Sequence, residues 1–294
     1  MIRFTIFIFL LSSTFCWPWP KDPSLEFIKI NATKLSNLTV LPSSLNLVFE
    51  QYKVITVGEI HGTQESPAFI TGLVSLLSLQ KKTVLLALEI NQENQSQVDA
   101  FLQDGDLEKL KQAPFFQREF QDGRSSWAMA NILLYVRDLK NVVVRCFDPA
   151  SHSSDGQDRD SKMAINLRSF YNSLNPSIMV VLAGNIHSKA SIGTPWNELF
   201  RPMAYELFSQ AGSPFEKSDI LAIKQRYLKG FAWICLNQTS CGKTPINAGE
   251  TNYSNANMNY FFLPEKEYSD GYNATIFSKI INMSPPLIQD SGNI

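Results

Sequence analysis

Short, almost purely apolar runs alternate with helix-like segments through the middle of this 294-residue chain. The apolar runs cover residues 54–57, 83–88, 142–147 and 178–183, and the helical patterns between them cover 66–79, 92–102, 126–139 and 160–174. This alternation predicts βαβ units. Uninterrupted apolar strands are typical of a parallel sheet that helices cover on both faces. We therefore predict an α/β fold with a mostly parallel central sheet.

The alternation fades beyond residue 190. Segments 204–208, 220–223 and 231–235 are predicted as shorter, edge-type strands, and 249–272, rich in Asn, Tyr and Ser, as a surface extension. The tail from Ser284, which contains two prolines, is expected to be loosely ordered. We predict an α/β domain over residues 24–245, with residues 246–294 as an irregular C-terminal extension that packs on it.

Composition narrows the function classes. A chain that is 44% hydrophobic can bury a large core, and a net charge of −1 gives no electrostatic reason to bind nucleic acid. Arg3, the apolar run 4–11 and the small residues 12–14 are typical of a signal peptide, predicted over residues 1–17. That run is too short to span a bilayer, and no transmembrane segment is expected after it. We predict export to the periplasm or outside the cell; a lipoprotein is less favoured because Phe15 precedes Cys16.

Export also permits disulfide bonds. Cys235 and Cys241 flank a polar loop after a strand-like run, which favours a bridge between them, although two unrelated thiols would give the same sequence. Cys146 ends an apolar run and is interpreted as a buried thiol rather than a nucleophile.

Two Gly-x-x-His segments point to a functional site. One ends at His61, and the other ends at His187; each directly follows an apolar run, and the chain has three histidines in total. Glu59 lies inside the first segment, and Glu89 ends the second apolar run. Because the carboxyl ends of parallel strands meet at one edge of a sheet, we expect these four side chains to converge there.

Further residues are candidates with structural alternatives. Glu65 lies at the start of a helix, where an acid also favours the helix dipole, and Asp148 precedes Pro149, where a turn explains it equally well. Arg159 and Asp160 begin a helix that can reach the same sheet edge. Three other residues are interpreted as solvated: Arg124, Glu93 and His152. Of these, Arg124 can also approach the site.

The residue types allow two chemistries. Two imidazoles with carboxylates suit a divalent metal of the Zn, Mn or Fe type, with a metal-bound water as nucleophile. In a metal-free alternative, a His–Glu pair activates water and Arg159 holds an anionic or oxyanion group. The sequence contains no Gly-x-Ser-x-Gly elbow, Walker loop or dinucleotide fingerprint.

On these motifs, residues 50–235 resemble the superfamily that groups erythromycin-esterase-like proteins, ChaN-like haem-binding lipoproteins and TraB/Tiki proteins. The resemblance implies an α/β sheet with its site at the strand edge. The Tiki branch implies a divalent metal on His61, Glu89 and His187 for peptide hydrolysis. The esterase-like branch implies a water-activating base at Glu59 and His61.

The leading hypothesis is an exported, metal-dependent hydrolase that cleaves an ester or peptide bond in a small molecule or peptide. Its site residues are predicted to be Glu59, His61, Glu65, Glu89, Arg159 and His187. One alternative is a non-enzymatic haem- or metal-binding uptake protein of the ChaN type. Another is a secreted interaction scaffold.

Overall fold

A computed structural model describes residues 25–118, 121–149, 156–237, 240–248, 258–264, 268 and 270–288. The predicted signal peptide, His152 and residues 249–257, 265–267 and 269 of the predicted extension lie outside the described residues. Among the described residues the strands are β1 (Thr33–Lys34), β2 (Val54–Glu59), β3 (Val84–Asn91), β4 (Val142–Asp148), β5 (Ile178–Gly184), β6 (Ile220–Asn237), β7 (Ser240–Asn247), β8 (Tyr260–Phe262) and β9 (Ala274–Ile281). The helices are α1 (Leu25–Asn31), α2 (Asn46–Phe49), α3 (Glu65–Leu79), α4 (Gln95–Asp104), α5 (Leu107–Lys111), α6 (Trp127–Val136), α7 (Gly156–Leu174) and α8 (Met203–Ser209).

The strands form one mixed sheet in the order β1-β8-β9-β6-β2-β5-β3-β4, with β7 paired to β6. The six strands from β9 to β4 run parallel to one another, whereas β1, β7 and β8 pair antiparallel. The predicted α/β fold with a mostly parallel sheet is confirmed. Its parallel part places the carboxyl ends of β2, β3, β4 and β5 at one edge.

Helices cover both faces of the parallel strands. Apolar side chains of α3, α4 and α6 pack on one face, and those of α7 and α8 pack on the other. Strands β2 and β5 are buried along their whole length, because both of their faces are covered. Within the described residues, no helix combines the length and apolarity needed to cross a membrane.

Segment 204–208 lies in helix α8, so the predicted strand there is wrong. The first amides of this helix are capped from elsewhere in the fold: the Met203 amide donates to the Asp160 carboxylate at 2.7 Å, and the Ala204 amide donates to the His187 carbonyl at 2.9 Å. The residues around this segment do not indicate a helix start that is capped by residues distant in sequence.

The predicted strands 220–223 and 231–235 are two parts of the single 18-residue strand β6. Its first part is not an edge strand, since it pairs parallel with β2, whereas its last part pairs antiparallel with β7. Cys235 and Cys241 face each other in that ladder and form the predicted disulfide. Cys146 is a buried free thiol, as predicted, and burial raises its pKa to about 12.

The C-terminal residues are more ordered than expected. Strand β9 pairs parallel with β6 and so joins the central sheet. Ser284 and Leu287 are buried, and the Ser284 and Leu287 amides donate to the carbonyls of Gly62 and Ser125. The expectation of a loose tail from Ser284 is therefore wrong for residues 284–288.

Candidate active site

The carboxyl ends of four adjacent parallel strands bring the predicted polar residues together. Glu59 ends β2, Glu89 lies near the end of β3, Asp148 ends β4, and His187 follows β5 by three residues. His61 lies two residues beyond β2. The convergence expected from the strand order is what the structure shows.

His61 is held by a carboxylate on one side and faces another. Its Nδ1 lies 2.8 Å from Glu59 Oε1, and its Nε2 lies 3.9 Å from Glu89 Oε2. Since a carboxylate only accepts, Nδ1–H donates to Glu59 and the Nε2 lone pair is directed away from it. Burial alone would lower the pKa of His61, but the negative charges of Glu89 and Glu59 outweigh burial and raise it.

Gly184 makes the close packing around His61 possible. A Cβ at this position would lie 2.9 Å from His61 Nε2, closer than a side chain tolerates. The Gly184 amide in turn donates to Glu89 Oε2 at 2.8 Å. The glycine of the second Gly-x-x-His segment thus contacts the histidine of the first and the glutamate beside it.

Glu89 is the buried centre of the cluster. Its Oε1 accepts from Arg159 Nη2 at 2.7 Å and from Arg124 Nη1 at 3.1 Å. Burial opposes ionisation, yet the positive charges around it, those of His61, Arg124 and Arg159 among them, hold the pKa of Glu89 well below its usual value. Glu89 is therefore an ionised, fully paired carboxylate at neutral pH.

Arg159 joins Glu89 to Asp148 and His187. It donates to Asp148 through Nε and Nη2, both at 2.9 Å, in a bidentate pair. Asp148 thus binds arginine, rather than only shaping a turn. Arg159 Nη1 lies 3.0 Å from His187 Nε2 and can only donate, so that Nε2 accepts.

His187 is oriented from behind by Asp160. Its Nδ1 lies 2.9 Å from both carboxylate oxygens of Asp160, which is itself fully buried. With Nδ1–H donating and Nε2 accepting from arginine, the geometry describes a neutral imidazole. His187 is consequently a hydrogen-bonded support for Arg159.

Arg124 belongs to the cluster, so its interpretation as a solvated residue is wrong. Its side chain is 13% exposed and donates through Nη1 to Glu89 and Asp148, each at 3.1 Å. Its Nη2 donates to Asp122 Oδ2 at 2.7 Å. The carboxylates keep Arg124 protonated by raising its pKa. The sequence gives no periodic signal for this loop; only Gly123, at a φ of 91°, marks a special backbone.

Glu65 contacts a different part of the molecule. Its Oε1 accepts from the backbone and side-chain amides of Asn282, both at 2.9 Å. Its Oε2 is buried without a hydrogen-bond partner among the described residues. Burial raises the pKa of Glu65, and the bonds from Asn282 counter this only in part. We assign Glu65 to the attachment of the C-terminal segment; among the described contacts, none joins it to the two histidines.

The three predicted metal ligands meet without forming a metal site. The Nε2 atoms of His61 and His187 lie 3.9 and 4.0 Å from different oxygens of Glu89. Arg159 donates a hydrogen bond to the Nε2 lone pair of His187, and the guanidinium groups of Arg124 and Arg159 bind the carboxylate of Glu89. A cation placed there would face two fixed positive charges. Because these guanidinium groups already bind the donors, the donor set does not fit Zn, Mn or Fe. Among the described residues no group of three or more His, Cys, Asp or Glu is arranged to hold a metal.

No protein-family model and no curated protein sequence matches the chain. Its fold is similar to that of a protein from Bacillus cereus, with a TM-score of 0.65 and 10% identity over 90% of this chain and 98% of that one. An erythromycin esterase, a histidine mutant in its open conformation, is similar with a TM-score of 0.64 and 10% identity over 84% and 95% of the two chains.

A ChaN of Campylobacter jejuni with cofacially bound haem is more distant, with a TM-score of 0.40 and 14% identity over 70% of this chain and 91% of that one. That similarity is too low to support an inference about ligands. The predicted resemblance to erythromycin-esterase-like proteins is confirmed at the level of the fold: this chain has the α/β architecture of an erythromycin esterase.

Proposed function

We propose that this protein is a hydrolase of ester or peptide bonds in which His61 activates water without a metal. The observation that carries the proposal is the 2.8 Å bond between Glu59 and His61 at the carboxyl edge of the sheet. It leaves Nε2 as the base, on a side chain that is 28% exposed. Ligand sites of open α/β sheets lie at this edge.

The proposed reaction begins when Nε2 of His61 takes a proton from water as the water attacks the substrate carbonyl. Glu59 stabilises the imidazolium that forms, as an orienting carboxylate does in other His-dependent hydrolases. The guanidinium of Arg159, 16% exposed, supplies positive charge for the oxyanion. His61 then returns the proton to the leaving group.

The test compares single His→Asn variants on a nitrophenyl ester and on an unstructured peptide. We expect His61→Asn to lower kcat by about 10²–10⁴-fold, the usual contribution of a general base. His152→Asn, at the third histidine, is the matched control and should behave as wild type. Full activity in His61→Asn would refute the proposal.

A metal-dependent reaction predicts a different response. In the proposed mechanism a chelator leaves kcat unchanged, because no step needs a metal. Loss of activity on chelation, with recovery on adding Zn²⁺, Mn²⁺ or Fe²⁺, would instead support the metal-dependent alternative. Elemental analysis of the purified protein accompanies the assay.

One feature of His61 also suits haem binding. A histidine whose Nδ1–H is bonded to a carboxylate offers Nε2 as an axial ligand to iron. Titration with haemin tests this alternative: a Soret shift in wild type that disappears in His61→Asn, together with no hydrolysis, would favour a ChaN-like uptake role. If the protein neither hydrolyses these substrates nor binds haem, the remaining hypothesis is a secreted interaction scaffold.

We also propose that the protein is exported, to the periplasm or outside the cell. The signal-like residues 1–17 and the Cys235–Cys241 disulfide support this, since disulfides persist in oxidising compartments.

A further inference from the structure

The last part of β6 extends beyond its pairing with the parallel strands, next to the two loops that carry site residues. Strand β6 pairs with β2 only as far as Ile223, opposite Val57, and then continues to Asn237. From Lys229 onward it pairs antiparallel with β7. We call the paired residues 229–237 and 240–247 the β6–β7 hairpin.

Trp233 of this hairpin bonds to both loops. Its backbone amide donates to the Gly62 carbonyl at 3.0 Å, and its indole Nε1–H donates to the Gln121 carbonyl at 2.8 Å. Gly62 directly follows His61, and Gln121 precedes Arg124 by three residues. One residue, through its backbone amide and its side chain, therefore ties the loop of the proposed base to the loop of a cluster arginine.

Two glycines allow these segments to touch backbone to backbone. A Cβ on Gly62, whose φ is 73°, would lie 2.3 Å from the Trp233 carbonyl oxygen. A Cβ on Gly123 would lie 2.5 Å from the Gly62 amide nitrogen. Because the three backbones are in direct contact, a displacement of the hairpin must displace both loops.

The disulfide lies at the same junction. Cys235 follows Trp233 by two residues, and its Sγ lies 3.4 Å from the Gln121 carbonyl oxygen. Cys241 is its partner across the hairpin, where the ladder is irregular between Cys235 and Asn237. The covalent link keeps the two strands together at a point where their hydrogen bonding is interrupted.

We propose that the β6–β7 hairpin is a positioning element of the site, in which Trp233 holds the loops of His61 and Arg124 at their working separation. As a statement about activity, this rests on the proposed hydrolase function. As a statement about geometry it does not, because the surroundings of His61 can be measured without a substrate.

Trp233→Phe removes the indole donor and keeps an aromatic ring. In protein labelled with ¹³C at histidine Cε1, the three histidines give three NMR resonances, and His61→Asn assigns the relevant one. His61 faces Glu59, Glu89 and Arg124, so a shift of the loops changes its chemical shift and moves its pKa towards the ordinary value. We expect these changes, with about a tenfold loss of kcat and little change in KM.

A second variant tests the disulfide. Cys235→Ser combined with Cys241→Ser should change the same His61 resonance in the same direction, because the hairpin loses its link. The matched control is Trp196→Phe, at an exposed tryptophan that lies outside the hairpin; its His61 resonance should equal that of wild type.

The outcomes separate the two proposals. A changed His61 resonance in a folded variant supports the positioning role even if wild type hydrolyses nothing. An unchanged resonance and titration in both hairpin variants overturns it, whatever the activity. If Trp233→Phe does not fold, as judged by circular dichroism, the double serine variant decides.

Discussion

The chemistry of His61 depends most directly on Glu59, which holds its Nδ1 at 2.8 Å. Glu59→Gln removes a negative charge but keeps the shape of the side chain. We expect the pKa of His61 to fall and, under the proposed mechanism, kcat to drop by about 10²–10⁴-fold, as when the orienting acid of a hydrolytic histidine is neutralised. Glu93→Gln, at an exposed glutamate, is the control. Unchanged titration of His61 in Glu59→Gln would contradict the assignment.

Acid should destabilise the molecule through its buried ion pairs. The pKa of Glu89 in the folded protein lies well below the ordinary value of about 4.5, and the positive charge of Arg124 lowers the pKa of Asp122 to about 2. The folded state therefore binds fewer protons than the unfolded state, and stability is lost as pH falls from about 4.5 towards 2. His61 is protonated in both the folded and the unfolded state over this pH range, so it does not contribute to the pH dependence of stability there.

Urea unfolding at pH 6 and pH 3 measures this effect. The midpoint should fall markedly at pH 3 in wild type, and by less in Glu89→Gln, which lacks the titrating group. Equal midpoints at the two pH values would show that the carboxylates do not sense the arginines as the geometry implies.

At the scale of elements, the C-terminal segment 282–287 ties together the loop after β2 and the start of α6. Asn282→Ala removes the side-chain amide that donates to the buried carboxylate of Glu65 and keeps only the backbone amide as a donor, so we expect a loss of about 1–3 kcal/mol in the free energy of unfolding. Denaturant titration provides the measurement. Asn37→Ala is the control: among the residues that the structure describes, this exposed side chain bonds to nearby Thr39 alone, and the change in stability should stay within about 0.5 kcal/mol. A loss no larger than that of the control would show that Asn282 does not support Glu65.

The prediction of elements succeeded where a pattern was local. Strands β2 to β5 are mostly apolar runs, and their positions agree with the sequence prediction to within a few residues. Helix α8 was mistaken for a strand because its first amides are capped by Asp160 and His187, which are distant in sequence. The tail after Ser284 is ordered by contacts with Gly62 and Ser125 that no pattern of its own residues indicates.

For the whole molecule, the signal-like N-terminus and the disulfide predict that the protein passes through an oxidising compartment. When the full chain is expressed in a secreting host, we expect its N-terminus to begin close after residue 17 and its mass to show an oxidised Cys235–Cys241 pair. Intact-mass and N-terminal analysis of the exported fraction provide the measurement. A retained N-terminus with two free thiols in the cytosolic fraction would contradict export.

The sequence by itself determined the fold class and the edge at which the candidate site lies. Apolar runs that alternate with helices specify a parallel sheet, and residues that follow such runs share its carboxyl edge. Two histidines and two glutamates were found this way, because each lies next to a strand end. The two Gly-x-x-His segments also marked the glycine that gives His61 its space.

Only the tertiary structure decided what those residues contact. Arg124 and Arg159 come from loop and helix positions with no strand signal, and they convert an expected metal site into a network of ion pairs around Glu89. The carboxylate of Glu65 accepts hydrogen bonds from Asn282, which is more than two hundred residues away in the sequence. Sequence spacing reports which side chains share an edge, whereas the direction of each lone pair and charge depends on packing between segments that are remote in the chain.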